Sequence, residues 1–388
     1  MKQKYLPLYA FFLWTISIGT SNAQPLSAFT NFQNHFMVWD NGMIRKIESL
    51  PPLKVVVGRN AIPYIDNSRN FKIYANGGSH KINDGFTSSF EASDDLVAFL
   101  NAKSLNVWDH GKITNLSRYC EQYLLGDSLI IYFEGVQKEY RAYYNGHIYP
   151  IEGFLAASNP QAIFDTDNAG ARISSDMQIA SGQLPSLKVS DNIAAYVNYS
   201  NQFHIFYHGY IINQEDYLIE NFDVGRNTVA YVDANQQFKV FHEGKTRTVE
   251  DFAPINYAAG DDLVAYISND NSFKIYYNDS VYNMGYLEPD YLVRDNIVAF
   301  ENGSGKFTVF YRGKLYEIDN YYPGNNHIKA GYNSLAYRDR SNELRLFTAG
   351  KTYGVTNANL SDWRLDYDVL QFQFGSNMYK IFYKGKTY

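Results

Sequence analysis

Val229-Ala230-Tyr231-Val232-Asp233-Ala234-Asn235-Gln236-Gln237-Phe238-Lys239-Val240-Phe241-His242-Glu243-Gly244 is the stretch on which the fold turns. An apolar triplet ending in an aromatic anchor leads into a polar run. A second apolar segment follows, and then a glycine. The same order returns at Val264-Ala265-Tyr266, with Asn269-Asp270-Asn271 as the polar run and Phe273-Lys274-Ile275-Tyr276 as the second segment. Fixed-period self-similarity of this size marks a repeat architecture.

The anchor also occurs at Phe99, Tyr196, Phe300 and Tyr337, and in weaker copies at Phe29, Tyr64, Tyr132, Phe164 and Phe372. Successive anchors lie 35, 35, 33, 32, 32, 35, 35, 34, 37 and 35 residues apart, so the chain reads as about eleven units. Each unit parses as antiparallel strands: one through the anchor, one through the Phe-Lys-Ile-Tyr-like run, one after the glycine, and a short one leading to the next anchor. Asn41-Gly42, Asn76-Gly77 and Asn145-Gly146 are tight-hairpin signals, because both central residues tolerate positive φ. Gly225-Arg226-Asn227 and Gly260-Asp261-Asp262 read as turns opening the next anchor strand.

In the second segment, Phe238 and Val240 face one way and Phe241 the other, yet all three are apolar. That strand is therefore buried on both faces, as stacked sheets require. The fold class expected is all-β: tandem antiparallel blades of a β-propeller, with no helical periodicity. One large ring, two adjacent propellers and an open β-solenoid all satisfy the pattern. The segment 154–184 is poor in aromatics and rich in Ala, Ser, Asp and Gly, which makes it a possible seam between 24–153 and 185–388.

Val38-Trp39-Asp40 and Val107-Trp108-Asp109 resemble the strand-end Trp-Asp of WD40 blades, and the repeated Val-Ala-Tyr/Phe strand resembles the TolB-type blade. The period is also similar to that of bacterial WG-type β repeats. The resemblance covers nearly all of 25–388 as a pattern, without the Gly-His dipeptide of WD40 blades. It implies a binding platform, or an enzyme with a site on the propeller axis.

Residues 1–23 read as a signal peptide. Lys2 and Lys4 precede an apolar run from Leu6 to Gly19, and Ser21-Asn22-Ala23 supplies the small residues before a cleavage at Gln24. Composition and signal are bacterial in type, so the location expected is secreted, periplasmic or cell-surface, with no membrane span once the signal is gone. Without Lys2 and Lys4 the chain carries 32 basic against 40 acidic side chains, a balance that argues against a nucleic-acid partner. Cys120 is the sole cysteine, so no internal disulfide forms.

No His-Glu-x-x-His, Cys pair, Gly-x-Ser-x-Gly or phosphate-binding glycine loop occurs. Asp165-Thr166-Asp167-Asn168 superficially resembles a calcium loop but lacks its full spacing, and reads as a solvated loop. His204 and His208 share a strand face about 13 Å apart, too far for joint ligation. Neither a metal nor a cofactor is expected. Tyr321, Tyr322, Asn325, Asn326 and His327 have the ring-and-amide composition of a ligand-contact loop. The function expected is a binding or scaffold protein engaging protein or glycan partners at the cell envelope. The alternative is a carbohydrate-active enzyme with an axial carboxylate site.

Overall fold

A computed structural model describes residues 25–85, 87–153, 183–375 and 378–388. Residues 1–23, which the sequence reads as a signal peptide, the anchor Phe164 and the acidic run 165–168 lie outside the described residues. Among the described residues the chain forms ten antiparallel sheets arranged as the blades of one β-propeller. Blades 1 to 5 span 27–48, 54–84, 87–117, 120–153 and 186–215; blades 6 to 10 span 222–250, 256–286, 291–319, 328–356 and 362–387. The other ten anchors each lie in one of these blades, on the second of four strands in blades 2 to 10 and on the first of the three described strands in blade 1.

Strands follow chain order from the axis outward: inner, second, third, outer. In blade 6, Ala230 of the second strand pairs with Val240 of the third, and Tyr231 with Lys239. These two strands form the core, with Val229, Ala230, Tyr231, Phe238 and Val240 all fully buried. Burial on both faces follows from each blade being sandwiched between its neighbours. The short strand that the sequence places last in a unit is the inner strand of the following blade. There, neighbouring blades converge and side-chain space is least.

The ring is single and closed. Blades 4 and 5, on either side of 154–182, share one cluster containing Leu129, Ile131, Ala194 and Tyr196, and Ser128 N donates to Asp191 O at 2.9 Å. At the other junction Ser27 Oγ of blade 1 donates to Gln371 Oε1 of blade 10 at 3.0 Å. The Trp39 and Tyr383 rings meet edge-on at 5.0 Å.

A recurring clamp ties blade to blade. Tyr231 Oη and Lys239 Nζ of blade 6 both donate to Glu215 Oε1, at the end of blade 5, at 2.8 and 2.9 Å. Tyr266 and Lys274 of blade 7 hold Glu250 in the same way at 2.8 Å, and Tyr64 and Lys72 hold Glu48. A β-bulge between Phe238 and Lys239 inserts one extra residue in the outer strand just before Glu250, re-aiming its end toward the next blade. Two hydrogen bonds to an ionised group in a half-buried position are worth more than a surface ion pair. The lysine after the aromatic, which reads as a polar spacer in the sequence, is thus a structural residue.

Antiparallel order gives the ring two faces. One carries the inner-to-second turns and the tight hairpins, where Asn41 (φ 50°) and Gly42 (φ 80°) both take the left-handed conformation. The other, the loop face, carries the connections from each outer strand to the next blade. No helix among the described residues is long and apolar enough to cross a membrane.

Candidate functional site

In blades 2 to 10, five residues before the anchor, the inner-to-second turn points a side chain at the axis. In blades 3, 4, 5, 7 and 8 that residue is Asp94, Asp127, Asp191, Asp261 and Asp295. Blades 2 and 6 place Arg59 and Arg226 there, and blades 9 and 10 place Tyr332 and Tyr367. Arg226 crosses the axis. Its Nη2 lies 2.9 Å from Asp127 Oδ2 and its Nε 3.1 Å from Asp191 Oδ2, with Asp261 and Asp94 at 3.9 and 4.0 Å. Arg59 Nη1 pairs with Asp94 Oδ2 at 2.9 Å. Both guanidinium groups stack over the Tyr332 ring, at 4.8 and 5.0 Å.

The next residue of each turn links the blades. Asn192 Nδ2 donates to Asn227 Oδ1 at 2.6 Å, and Asn227 Nδ2 to Asp262 Oδ1 at 2.9 Å. The residue before is often glycine because of crowding rather than turn conformation: a Cβ on Gly225 would sit 2.0 Å from Gly260 O.

Carboxylates outnumber the cations that face them, and they are buried. Burial, then the neighbouring carboxylate, pushes Asp127 up to about 7 and Asp191 up to about 6. Burial likewise raises Asp94 and Asp261 to about 6 and Asp295 to about 7. Asp127, Asp191 and Asp261 crowd round one guanidinium, so these carboxyls titrate as a coupled group. Against burial, the same carboxylates hold Arg226 firmly charged. A cavity of about 410 Å³ opens beside the ring, lined by Asp94, Asp127, Asp191, Asp295, Tyr332 and Tyr367. The arrangement can hold and pass protons and can take up positive charge.

The loop face is different in kind. Leu218, Phe252, Ile255 and Tyr321 project from the connections that follow blades 5, 6 and 8, and Tyr286 from the end of blade 7's outer strand, with Phe252 65% and Tyr286 83% exposed. A groove of about 810 Å³ lies within this arc, where Leu218, Ile255 and Tyr257 meet the charged side chains of Lys188, Glu220 and Asp223. The loop expected to contact a ligand ends the arc. Tyr321 is exposed, with Arg340 over its ring at 4.3 Å, and Asn326 and His327 are exposed beside it. Tyr322 is buried against Phe307 and donates to Asn325 Oδ1, while Asn325 Nδ2 reaches Tyr291 O at 3.1 Å. These two build the loop from within.

His204 stacks on Tyr196 and His208 on Tyr207, so the two imidazoles serve separate packing contacts. Away from the axis, one group of three metal-capable side chains among the described residues has its ligand atoms within 4.8 Å of one another: His242, Glu243 and Asp262. Sequence reasoning saw the axial turns but not their convergence. The available signal was Asp at one fixed offset before the anchor.

A family model, described as a 10-bladed beta propeller domain, matches residues 20–388. No curated protein matches the chain. Among solved structures, the computationally designed Ika8 protein is similar at 12% identity, covering 76% of this chain and 96% of its own, with a TM-score of 0.34. The CRINKLY WD40 ectodomain of the Arabidopsis thaliana receptor kinase ACR4 is similar at 10% identity, covering 68% and 97%, with a TM-score of 0.32. Prp20p from Saccharomyces cerevisiae is similar at 9% identity, covering 65% and 81%, with a TM-score of 0.29.

Proposed function

We propose that this chain, which belongs to the 10-bladed beta propeller domain family, is an exported binding platform that takes a protein partner on the loop face of blades 5 to 8. The single observation behind this reading is the apolar arc of Leu218, Phe252, Ile255, Tyr286 and Tyr321. Contiguous exposed apolar side chains rimmed by polar ones mark interaction surfaces, and aromatic anchors dominate their energetics. Leu, Ile and Phe in a row suit a protein surface better than a glycan, which needs flat rings flanked by hydroxyl-binding groups. Export rests on residues 1–23, with the basic end, apolar run and small cleavage residues of a secretory signal. The partner is accordingly a protein of the periplasm or cell surface.

The test is substitution on a rigid scaffold. Phe252→Asp, Ile255→Asp and Tyr286→Asp together are expected to weaken the partner complex by about 100-fold or more, since several anchors are lost at once. The melting temperature should hold, because these side chains are exposed. Undiminished binding by a folded triple variant would refute the loop-face site.

A second reading has its own observation: five aspartates converge on the axis, as a carbohydrate-active enzyme with an axial carboxylate site requires. Glycosidic hydrolysis uses two carboxyl groups roughly 5–9.5 Å apart, one protonated and one not. Asp127, Asp191 and Asp261 instead lie round one charged arginine, Arg226, at 2.9, 3.1 and 3.9 Å. Release of sugar product from a glycan panel, abolished by Asp127→Asn, would favour this reading over the first.

A further inference from the structure

We propose that His242, Glu243 and Asp262 form a binding site for a divalent transition-metal ion of the zinc class, on the turn face between blades 6 and 7. His242 ends the third strand of blade 6, and Glu243 is the first central residue of the hairpin that follows. Asp262 is the turn residue just before the second strand of blade 7. The ligand-bearing atoms of all three lie within 4.8 Å of one another.

Two separations argue for a metal rather than an ion pair alone. His242 Nε2 is 3.4 Å from Asp262 Oδ1. That is long for a charge-assisted hydrogen bond, which closes to about 2.7–2.9 Å. It matches the edge of a tetrahedron with metal–ligand bonds of about 2.1 Å, since that edge is about 1.6 times the bond. The other imidazole nitrogen, Nδ1, has Asp279 Oδ1 at 3.6 Å. That is outside hydrogen-bond distance, but it sets a carboxylate beside the second nitrogen, where a small turn of either side chain completes the carboxylate–histidine–metal arrangement.

The supporting groups are also in place. Asp279 Oδ1 accepts from Tyr276 Oη at 2.7 Å, and its Oδ2 from Arg247 Nη2 at 2.7 Å. Asn227 fixes both remaining ligands: its Nδ2 donates to Asp262 Oδ1 at 2.9 Å, and its carbonyl accepts from Glu243 N at 3.1 Å. His242 is buried, Asp262 half-buried and Glu243 exposed, so the metal would be reached from solvent on the glutamate side. One imidazole and two carboxylates leave a fourth position for water or an incoming group, the open pattern of reactive rather than purely structural zinc sites.

Calorimetric titration of the purified protein with Zn²⁺ in a non-chelating buffer tests this. One ion should bind per chain. His242→Gln and Asp262→Asn should each weaken binding by about 10-fold or more, and Asp279→Asn by about 10- to 100-fold. His80→Ala, at an exposed histidine of blade 2, should leave it unchanged. Should His242→Gln fail to fold, the ¹⁵N imidazole signals of His242 in the unaltered protein decide: they should shift and saturate at one equivalent. No saturable binding, equal binding by a folded His242→Gln, or unshifted His242 signals would each overturn the proposal.

Discussion

Arg226→Met is expected to cost the folded protein about 3–5 kcal/mol near pH 8, the range for removing one partner of a buried charge cluster. The guanidinium lies within 4.0 Å of four carboxylates from four other blades. Methionine fills much of its volume and supplies none of its charge. Asp94 and Asp261 are only 4% and 3% exposed, so solvent compensates little of the arginine's lost charge there. The loss should shrink near pH 5. The axial carboxyls, with folded values raised from 3.8 to about 6–7, take up protons on folding between about pH 4 and pH 7. Stability from raised carboxyls is present at the acid end of that window and falls as pH rises through it. Arg226 offsets the fall, so its absence is felt most above it. Denaturant unfolding of both proteins at pH 5 and pH 8 measures the difference. An equal, small loss at both would mean that Arg226 does not neutralise the ring.

Gly331→Ala is expected to destabilise by about 3 kcal/mol or more, at the upper end of overpacking costs. A Cβ at this position would lie 1.4 Å from Tyr367 O and 2.6 Å from Tyr367 C, on the neighbouring blade. The obstacle is backbone, so no rotamer change relieves it. Blades 9 and 10 must separate at the axis, where Tyr332 N also bonds Tyr367 O. Gly303→Ala is the control: nothing lies within 4 Å of its Cβ, and a change below about 0.5 kcal/mol is expected of such a surface site. Equal denaturation midpoints for the two variants would contradict the close packing of inner strands that defines the ring.

The blades were legible because packing writes them into the sequence at short range. Tyr231, Phe238 and Gly244 fix a strand, its partner and the hairpin within 14 residues. Ring closure leaves no such local trace. Ser27 and Gln371, whose side chains bond at the junction, are 344 residues apart, and the alternatives of one ring, two rings or a solenoid share the same local pattern. In the sequence the glycines of Gly225-Arg226-Asn227 and Gly260-Asp261-Asp262 read as turn formers. Neither has positive φ, and what they supply is room for the adjacent blade. The following residues, Arg226 and Asp261, were invisible as a site because each is an ordinary turn residue until ten blades bring it to one axis. For Tyr321 to His327, composition alone could not separate the side chains that build the loop, Tyr322 and Asn325, from those it displays.

The most direct test of the binding-platform account is site-specific photo-crosslinking in the native envelope, with a photoreactive amino acid placed in turn at Phe252, Tyr286 and Ile113. All three side chains are exposed; the first two belong to the loop-face arc, whereas Ile113 lies on the outer strand of blade 3. The account predicts one discrete protein adduct, the same from Phe252 and Tyr286, and none from Ile113. No protein adduct from the arc, or the same adduct from Ile113, would contradict it.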